Sequence, residues 1–175
     1  MSEQAAVGFL NVMPPEQLRA LVKMGDKQAL ENAATYGTYG PVEHRRSLVA
    51  NLPEWSVKLW RIVDHINGQF FGFALEGIET PQFVVYREGD HFDWHMDKGP
   101  ETPRRRKLSL TLQLSASEDY EGGDLEVYSG DGTITAKREP GAVLAFPSWI
   151  LHRVTPVTRG ERKSLVVWAF GPTFQ

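Results

Sequence analysis

The sequence contains no cysteine. That excludes disulfides, thiolate zinc sites, iron–sulfur clusters and a cysteine nucleophile. A strong charge of either sign is also missing: 19 Lys and Arg stand against 22 Asp and Glu, for a net charge of −3. With a pI near 6.0, this balance argues against a general nucleic-acid binder, though not against a local basic patch. No apolar run approaches the ~18 residues of a membrane span. Residues Met1–Val7 carry no basic stretch of the kind that opens a targeting segment. The expected location is therefore cytoplasmic, with no membrane partner. There is no internal repeat and no low-complexity tract. Histidine is scarce, with five in 175 residues. Any metal chemistry must be assembled from those five together with Asp and Glu.

What remains is ordinary globular composition, 41% hydrophobic and 23% charged. The length corresponds to about one domain, so residues 1–175 are expected to form a single unit. It has two textures. Residues 1–80 read as a helical or irregular support region, and residues 81–170 as a core of short strands and turns. Pro14-Pro15-Glu16 opens a helix with Leu18, Leu21, Val22 and Leu30 on its apolar side. Tyr36 to Pro41 reads as loop. A second helix is expected from Pro53 to about Phe73, with Val57, Trp60, Val63, Ile66 and Phe70 at helical spacing.

Strands are expected at Gln82–Tyr86, Lys107–Ser115, Asp124–Ser129, Thr133–Lys137, Ala142–Phe146, His152–Val157 and Ser164–Phe170. Turns separate them at Glu121–Gly123, Ser129–Gly132, Glu139–Gly141 and Thr158–Glu161. This spacing points to an antiparallel sandwich or barrel. Between Lys107 and Ser115 the alternation is strict: Leu108, Leu110, Leu112 and Leu114 fall on one face, Ser109, Thr111 and Gln113 on the other. The leucines need a cover, which the N-terminal helices can supply. The polar face would then point into the barrel, where burial is costly unless it serves water, a ligand or a metal.

The densest chemistry lies in Gly89-Asp90-His91-Phe92-Asp93-Trp94-His95-Met96-Asp97. It holds two overlapping His-x-Asp pairs, and residues two apart project to the same side of an extended chain. Either pair could offer an imidazole and a carboxylate to one ion. Of the remaining histidines, His44 lies beside Arg45-Arg46 and His65 in the expected second helix. His152 opens a strand and is the best-placed third ligand. Two histidines and a carboxylate on one face of an ion leave positions open, the pattern of non-haem Fe(II) sites, although zinc takes similar ligands. Ten residues beyond His152 come Arg162 and Ser164, of one strand parity. A planar guanidinium with a hydroxyl suits a bidentate grip on a carboxylate. Tyr86, nine residues before His95, adds a phenol.

Taken in order, these residues resemble the 2-oxoglutarate/Fe(II)-dependent oxygenases, in the prolyl 4-hydroxylase-like branch and especially the bacterial PKHD-type hydroxylases. The resemblance rests on Tyr86-x-x-Gly89-Asp90-x-Phe92-x-x-His95-x-Asp97, on Asp119-Tyr120-Glu121-Gly122-Gly123-Asp124-Leu125, on Pro147–Val157 and on Gly160-Glu161-Arg162-Lys163-Ser164. The family places an aromatic residue three positions before the ligand histidine, and Phe92 stands so before His95. The resemblance therefore implies His95, Asp97 and His152 as iron ligands, with His91 and Asp93 at the rim.

It further implies a mainly β fold with flanking α: a double-stranded β-helix (jelly-roll) core, with the N-terminal helices on the outside of the major sheet. The implied cofactors are Fe(II), 2-oxoglutarate and O2, with ascorbate as a candidate reductant. The far carboxylate of 2-oxoglutarate would meet Arg162, helped by Ser164 and Tyr86. Where relatives carry a tyrosine at this carboxylate the chain has Gln113, which can still donate a hydrogen bond. No catalytic residue beyond the iron ligands is implied, since the iron and cosubstrate carry the chemistry.

The implied reaction is hydroxylation of an unactivated C–H bond with release of succinate and CO2. Its target is a prolyl residue in a peptide or protein, or alternatively a free amino acid or other small metabolite. A non-catalytic jelly-roll binding module is the remaining alternative. Nucleic-acid demethylases of this superfamily carry a second arginine six residues after the first, a position held here by Trp168. Substrate contacts are expected from His91, Asp93, Trp94 and Trp149, with Tyr36–Arg46 and Asp97–Arg106 as rims. Arg104-Arg105-Arg106 would draw an acidic substrate if its charges face solvent.

Overall fold

The computed structural model describes residues 5–33, 44–98 and 105–172. With strands numbered in chain order, a large antiparallel sheet runs β1 (Val7–Phe9), β12 (Val143–Pro147), β8 (Arg106–Gln113), β15 (Arg162–Phe170), β6 (Gln82–Tyr86), β4 (Leu48–Asn51) and β2 (Glu31–Asn32), with β5 (Gly77–Ile78) also on β15. A smaller sheet runs β11 (Thr133–Thr135), β10 (Leu125–Tyr128), β13 (His152–Val154), β7 (His91–His95) and β3 (Arg45–Arg46). A short ribbon pairs β14 (Val157–Gly160) with β9 (Tyr120–Gly122). This is the expected jelly roll with flanking helices.

The alternation of β8 organises the packing. Leu108, Leu110, Leu112 and Leu114 join Phe83, Val85, Leu165 and Val167 on the outer face of the large sheet. Leu18 and Leu21 of α1 (Pro15–Gly25) and Leu59, Val63 and Ile66 of α2 (Ser56–Ile66) close over them. The opposite face carries Val84, Tyr86, Leu144 and Phe146 against Leu125, Val127 and Val154 of the small sheet. One sheet thus separates a dry, helix-covered layer from an interior facing the second sheet.

α1 lies close to the sheet because it ends on Gly25. A Cβ there would fall 2.5 Å from the Phe83 ring. Gly25→Ala should therefore destabilise the chain by about 1–3 kcal/mol through overpacking, although alanine is the better helix former. Thermal melting checks this, and a neutral or stabilising result would contradict the close packing.

The N-terminal half departs from expectation. Residues up to 80 supply five short strands besides the helices, at both edges of the large sheet and one edge of the small one. Leu30 lies beyond α1 and packs on the core from the following segment. α2 occupies the middle of the expected helix, after a 3-10 turn at Pro53–Trp55 and before a π turn at Asn67–Phe71. Its buried stripe is Leu59, Val63 and Ile66, whereas Val57 and Phe70 are exposed. The π turn takes an extra residue per turn and so shifts the phase. The Asn67 side chain ends that turn by bonding both the N–H and the carbonyl of Phe73 at 2.9 Å. Downstream, His152–Val157 divides into β13 and the start of β14, and β14 occupies most of the expected Thr158–Glu161 turn. The expected Tyr36–Pro41 loop lies outside the described residues. Among those described, no helix is long and apolar enough to cross a membrane.

Candidate metal centre

Antiparallel pairing of β7 with β13 sets His95 directly opposite His152. The register then shifts, so that Phe92 rather than an alternate residue faces Val154. This irregularity lets Phe92 and His95 turn to the same interior although they are three residues apart. Their rings stack at 3.4 Å between centroids. Asp97 follows just beyond the strand end, and its carboxylate meets both imidazoles. His95 Nε2 is 3.7 Å from one oxygen and His152 Nε2 is 3.4 Å from the other. The candidate ligand atoms of the three residues lie within 4.8 Å of one another, the one such cluster among the described residues.

The backbone orients the two rings. His95 Nδ1 lies 2.7 Å from the Asp93 carbonyl and His152 Nδ1 lies 3.0 Å from the Ile150 carbonyl. A carbonyl only accepts, so each Nδ1 carries a proton and each Nε2 is the atom turned toward Asp97. Burial pushes the His95 imidazole down to about 3, aided by the neighbouring His152, so at neutral pH it is an uncharged ligand. For Asp97, burial pushes the carboxyl up. The two imidazoles and the Ser109 hydroxyl outweigh it and hold the group below the ordinary carboxylate range. Ser109 donates to the Asp97 carboxylate at 2.6 Å and meets the Ser148 hydroxyl at 3.0 Å. An anionic carboxylate beside two imidazoles is a donor set for a divalent cation, and its nitrogen and oxygen atoms suit iron.

The rival pair does not join this cluster. Asp93 is exposed and pairs with His44 Nδ1 at 3.2 Å, and His91 Nδ1 meets the Gly89 carbonyl at 3.1 Å. His65 lies exposed on α2. Trp94 is exposed beside His95 with the Arg153 guanidinium 4.8 Å from its ring, and Trp149 packs edge-on against Phe73. Of the arginine run, Arg105 is exposed and Arg106 is not. Arg106 is buried, pairs with Glu79 at 2.6 Å and lies 4.0 Å over the Trp168 ring, while Arg105 pairs with Glu76. Arg104 is outside the described residues.

The interior row of β8 leads away from this cluster through Thr111 to Gln113. Gln113 faces Ser164 across β15, whose next inward residue, Arg162, faces Tyr86 on β6. All four are buried. Arg162 donates to the Ser164 hydroxyl at 3.4 Å and its guanidinium stands 5.7 Å from the Tyr86 ring centre. No carboxylate pairs with it among the described residues. Burial pushes the Tyr86 phenol up, so it stays a neutral donor. A buried guanidinium without an internal anion is costly unless a ligand carboxylate supplies the countercharge. Gln113 is less available than the sequence suggested. Its amide nitrogen donates to the Ser115 carbonyl at 2.9 Å and to the Tyr120 hydroxyl at 3.0 Å, so both N–H groups are committed. In the sequence Tyr120 stood only within the matching stretch Asp119–Leu125, without a role, because nothing local ties it to Gln113.

Comparison with known proteins agrees with this geometry. Residues 81–170 match the 2OG-Fe(II) oxygenase superfamily. A PKHD-type hydroxylase of Teredinibacter turnerae is 30% identical over 162 residues, covering 87% of this chain and 72% of that protein. Among solved structures, a Pseudomonas putida prolyl-4-hydroxylase superposes with a TM-score of 0.78 at 23% identity, over 95% of this chain and 93% of that one. A Trichoplax adhaerens prolyl hydroxylase, solved with a hypoxia inducible factor peptide fragment, gives 0.76 at 16% identity, over 95% and 83%. With a His-Asp-His cluster at the small sheet and a buried arginine on the large one that has no carboxylate partner among the described residues, the chain belongs to the 2OG-Fe(II) oxygenase superfamily, as a hydroxylase related to its PKHD-type members.

Proposed function

We propose that the chain hydroxylates a prolyl residue in a peptide or protein, consuming 2-oxoglutarate and O2 and releasing succinate and CO2. The observation that carries this reading is the pairing of one three-residue metal cluster with one buried guanidinium in need of a carboxylate. His95, Asp97 and His152 would hold Fe(II). Arg162, Ser164 and Tyr86 would hold the far carboxylate of 2-oxoglutarate. The bound iron supplies the oxidising chemistry, which no side chain of the site can perform alone. The chain's own work is to present two imidazole nitrogens and one carboxylate oxygen, and to fix them through the Asp93 and Ile150 carbonyls and the Ser109 hydroxyl.

A peptide is our choice over a free amino acid; Trp94, exposed beside Arg153, lies on the outer side of the small sheet and does not line the cluster. The Trichoplax relative's peptide complex supports the same choice. Incubation with Fe(II), 2-oxoglutarate and a proline-containing peptide library should give succinate and a mass gain of one oxygen on proline. Turnover of free amino acids with none of peptides would overturn the peptide assignment.

A further inference from the structure

We propose that Tyr120 donates a hydrogen bond to the far carboxylate of 2-oxoglutarate, beside Arg162, with Gln113 as the residue that aims it. This rests on the cosubstrate reading above. The Ser115 carbonyl can only accept, so Gln113 must turn its NH2 toward it. The second hydrogen of that NH2 goes to the Tyr120 oxygen at 3.0 Å. The phenol is thereby an acceptor, and its own proton must point elsewhere. Tyr120 is 2% exposed, so bulk solvent does not serve it. Among the described residues the hydroxyl has no acceptor. A buried O–H left so is costly.

Its surroundings show where the proton is wanted. The Tyr120 ring and the Arg162 stem lie side by side over Gly123. A Cβ on Gly123 would be 3.3 Å from Arg162 Cδ and 3.4 Å from the Tyr120 ring. Gly123 is also left-handed, at φ +61°. Two buried groups therefore sit together, each lacking the same thing: a guanidinium without an anion and a phenol without an acceptor. One carboxylate satisfies both. Arg138, 4.9 Å from the Tyr120 ring centre, holds the ring from elsewhere through its ion pair with Asp124 at 2.8 Å.

The test is calorimetric titration of the Mn(II)-loaded full chain with 2-oxoglutarate and with 2-oxopentanoate, which ends in a methyl where the cosubstrate has its far carboxylate. Tyr120→Phe keeps the ring and removes the proton. It should weaken 2-oxoglutarate by about tenfold and leave 2-oxopentanoate unchanged. Gln113→Leu should weaken 2-oxoglutarate alone by about two- to threefold. The double variant should be no worse than Tyr120→Phe, because Gln113 acts only through the phenol. Equal losses for both ligands, or additive losses in the double variant, would overturn the proposal, as would wild-type affinity in Tyr120→Phe. If the wild-type chain itself fails to bind 2-oxoglutarate, the cosubstrate reading falls first and this one with it.

Discussion

Replacing Arg162 by methionine should raise the melting temperature of the ligand-free chain while abolishing its affinity for 2-oxoglutarate. The two effects have opposite signs because they answer to one feature. In the folded chain the Arg162 guanidinium is 2% exposed, and its bond to an acceptor in the protein is a long one to Ser164 at 3.4 Å. Its burial is therefore paid at folding and returned only on binding. Replacing buried charge by apolar volume stabilises other proteins by about 1–4 kcal/mol, and for a chain of this size each 1 kcal/mol is worth about 2–4 °C. On the binding side, two charge-assisted bonds to a carboxylate are lost at about 1.5–3 kcal/mol each, more than about 100-fold in affinity. Thermal melts with and without 2-oxoglutarate read both. A lower ligand-free melting temperature, or a ligand shift that survives, would show that Arg162 has another anion to serve.

The second large effect separates the two His-x-Asp pairs. Asp97→Ala should reduce affinity for Mn(II) or Fe(II) by more than about 100-fold, beyond the range typical of losing a residue that merely supports a ligand. It removes the one carboxylate shared by His95 and His152. Asp93→Ala should leave metal affinity within about twofold, because the Asp93 carboxylate is turned to His44 on the surface. The Asp93 carbonyl that orients His95 survives the substitution, since it belongs to the backbone. Metal titration followed by tryptophan fluorescence or calorimetry distinguishes them, and a reversed order would move the centre to the other pair.

The parts of this molecule that could be read from sequence are those with a period or a chemical pattern. β8 announced itself by alternation and, with it, the side that needed helices and the side that needed a ligand. The Arg162–Ser164 pair was legible from parity within a strand and the two His-x-Asp pairs from their spacing. The choice of His95 and Asp97 came from the family resemblance, because the partner strand that brings in His152 lies far along the chain. The strands of residues 7–9, 31–32, 45–46, 48–51 and 77–78 were not legible. They are two to four residues long, too short to show alternation. They form because existing edges offer them hydrogen bonds, which is a tertiary cause. Arg45-Arg46 is the sharpest case, a charged dipeptide made into a strand by β7. The phase of α2 was hidden by the 3-10 and π turns at its ends. Arg106 read as part of a charge run because its partner Glu79 is 27 residues away. Tyr120 and Gln113 meet across a turn, a contact set by the ribbon of β9 and β14 rather than by either residue's neighbours.

The two-sidedness of β8 has an evolutionary consequence. Leu108, Leu110 and Leu112 pack under the helices while Ser109, Thr111 and Gln113 face the interior, and none of these six side chains answers to both sides. Natural variation can therefore rework Ser109, Thr111 and Gln113 without loosening the leucine layer, and can repack the leucines without disturbing the chemistry. A single strand in which adjacent residues are under independent selection gives a lineage a way to change what it recognises while keeping the scaffold that folds it.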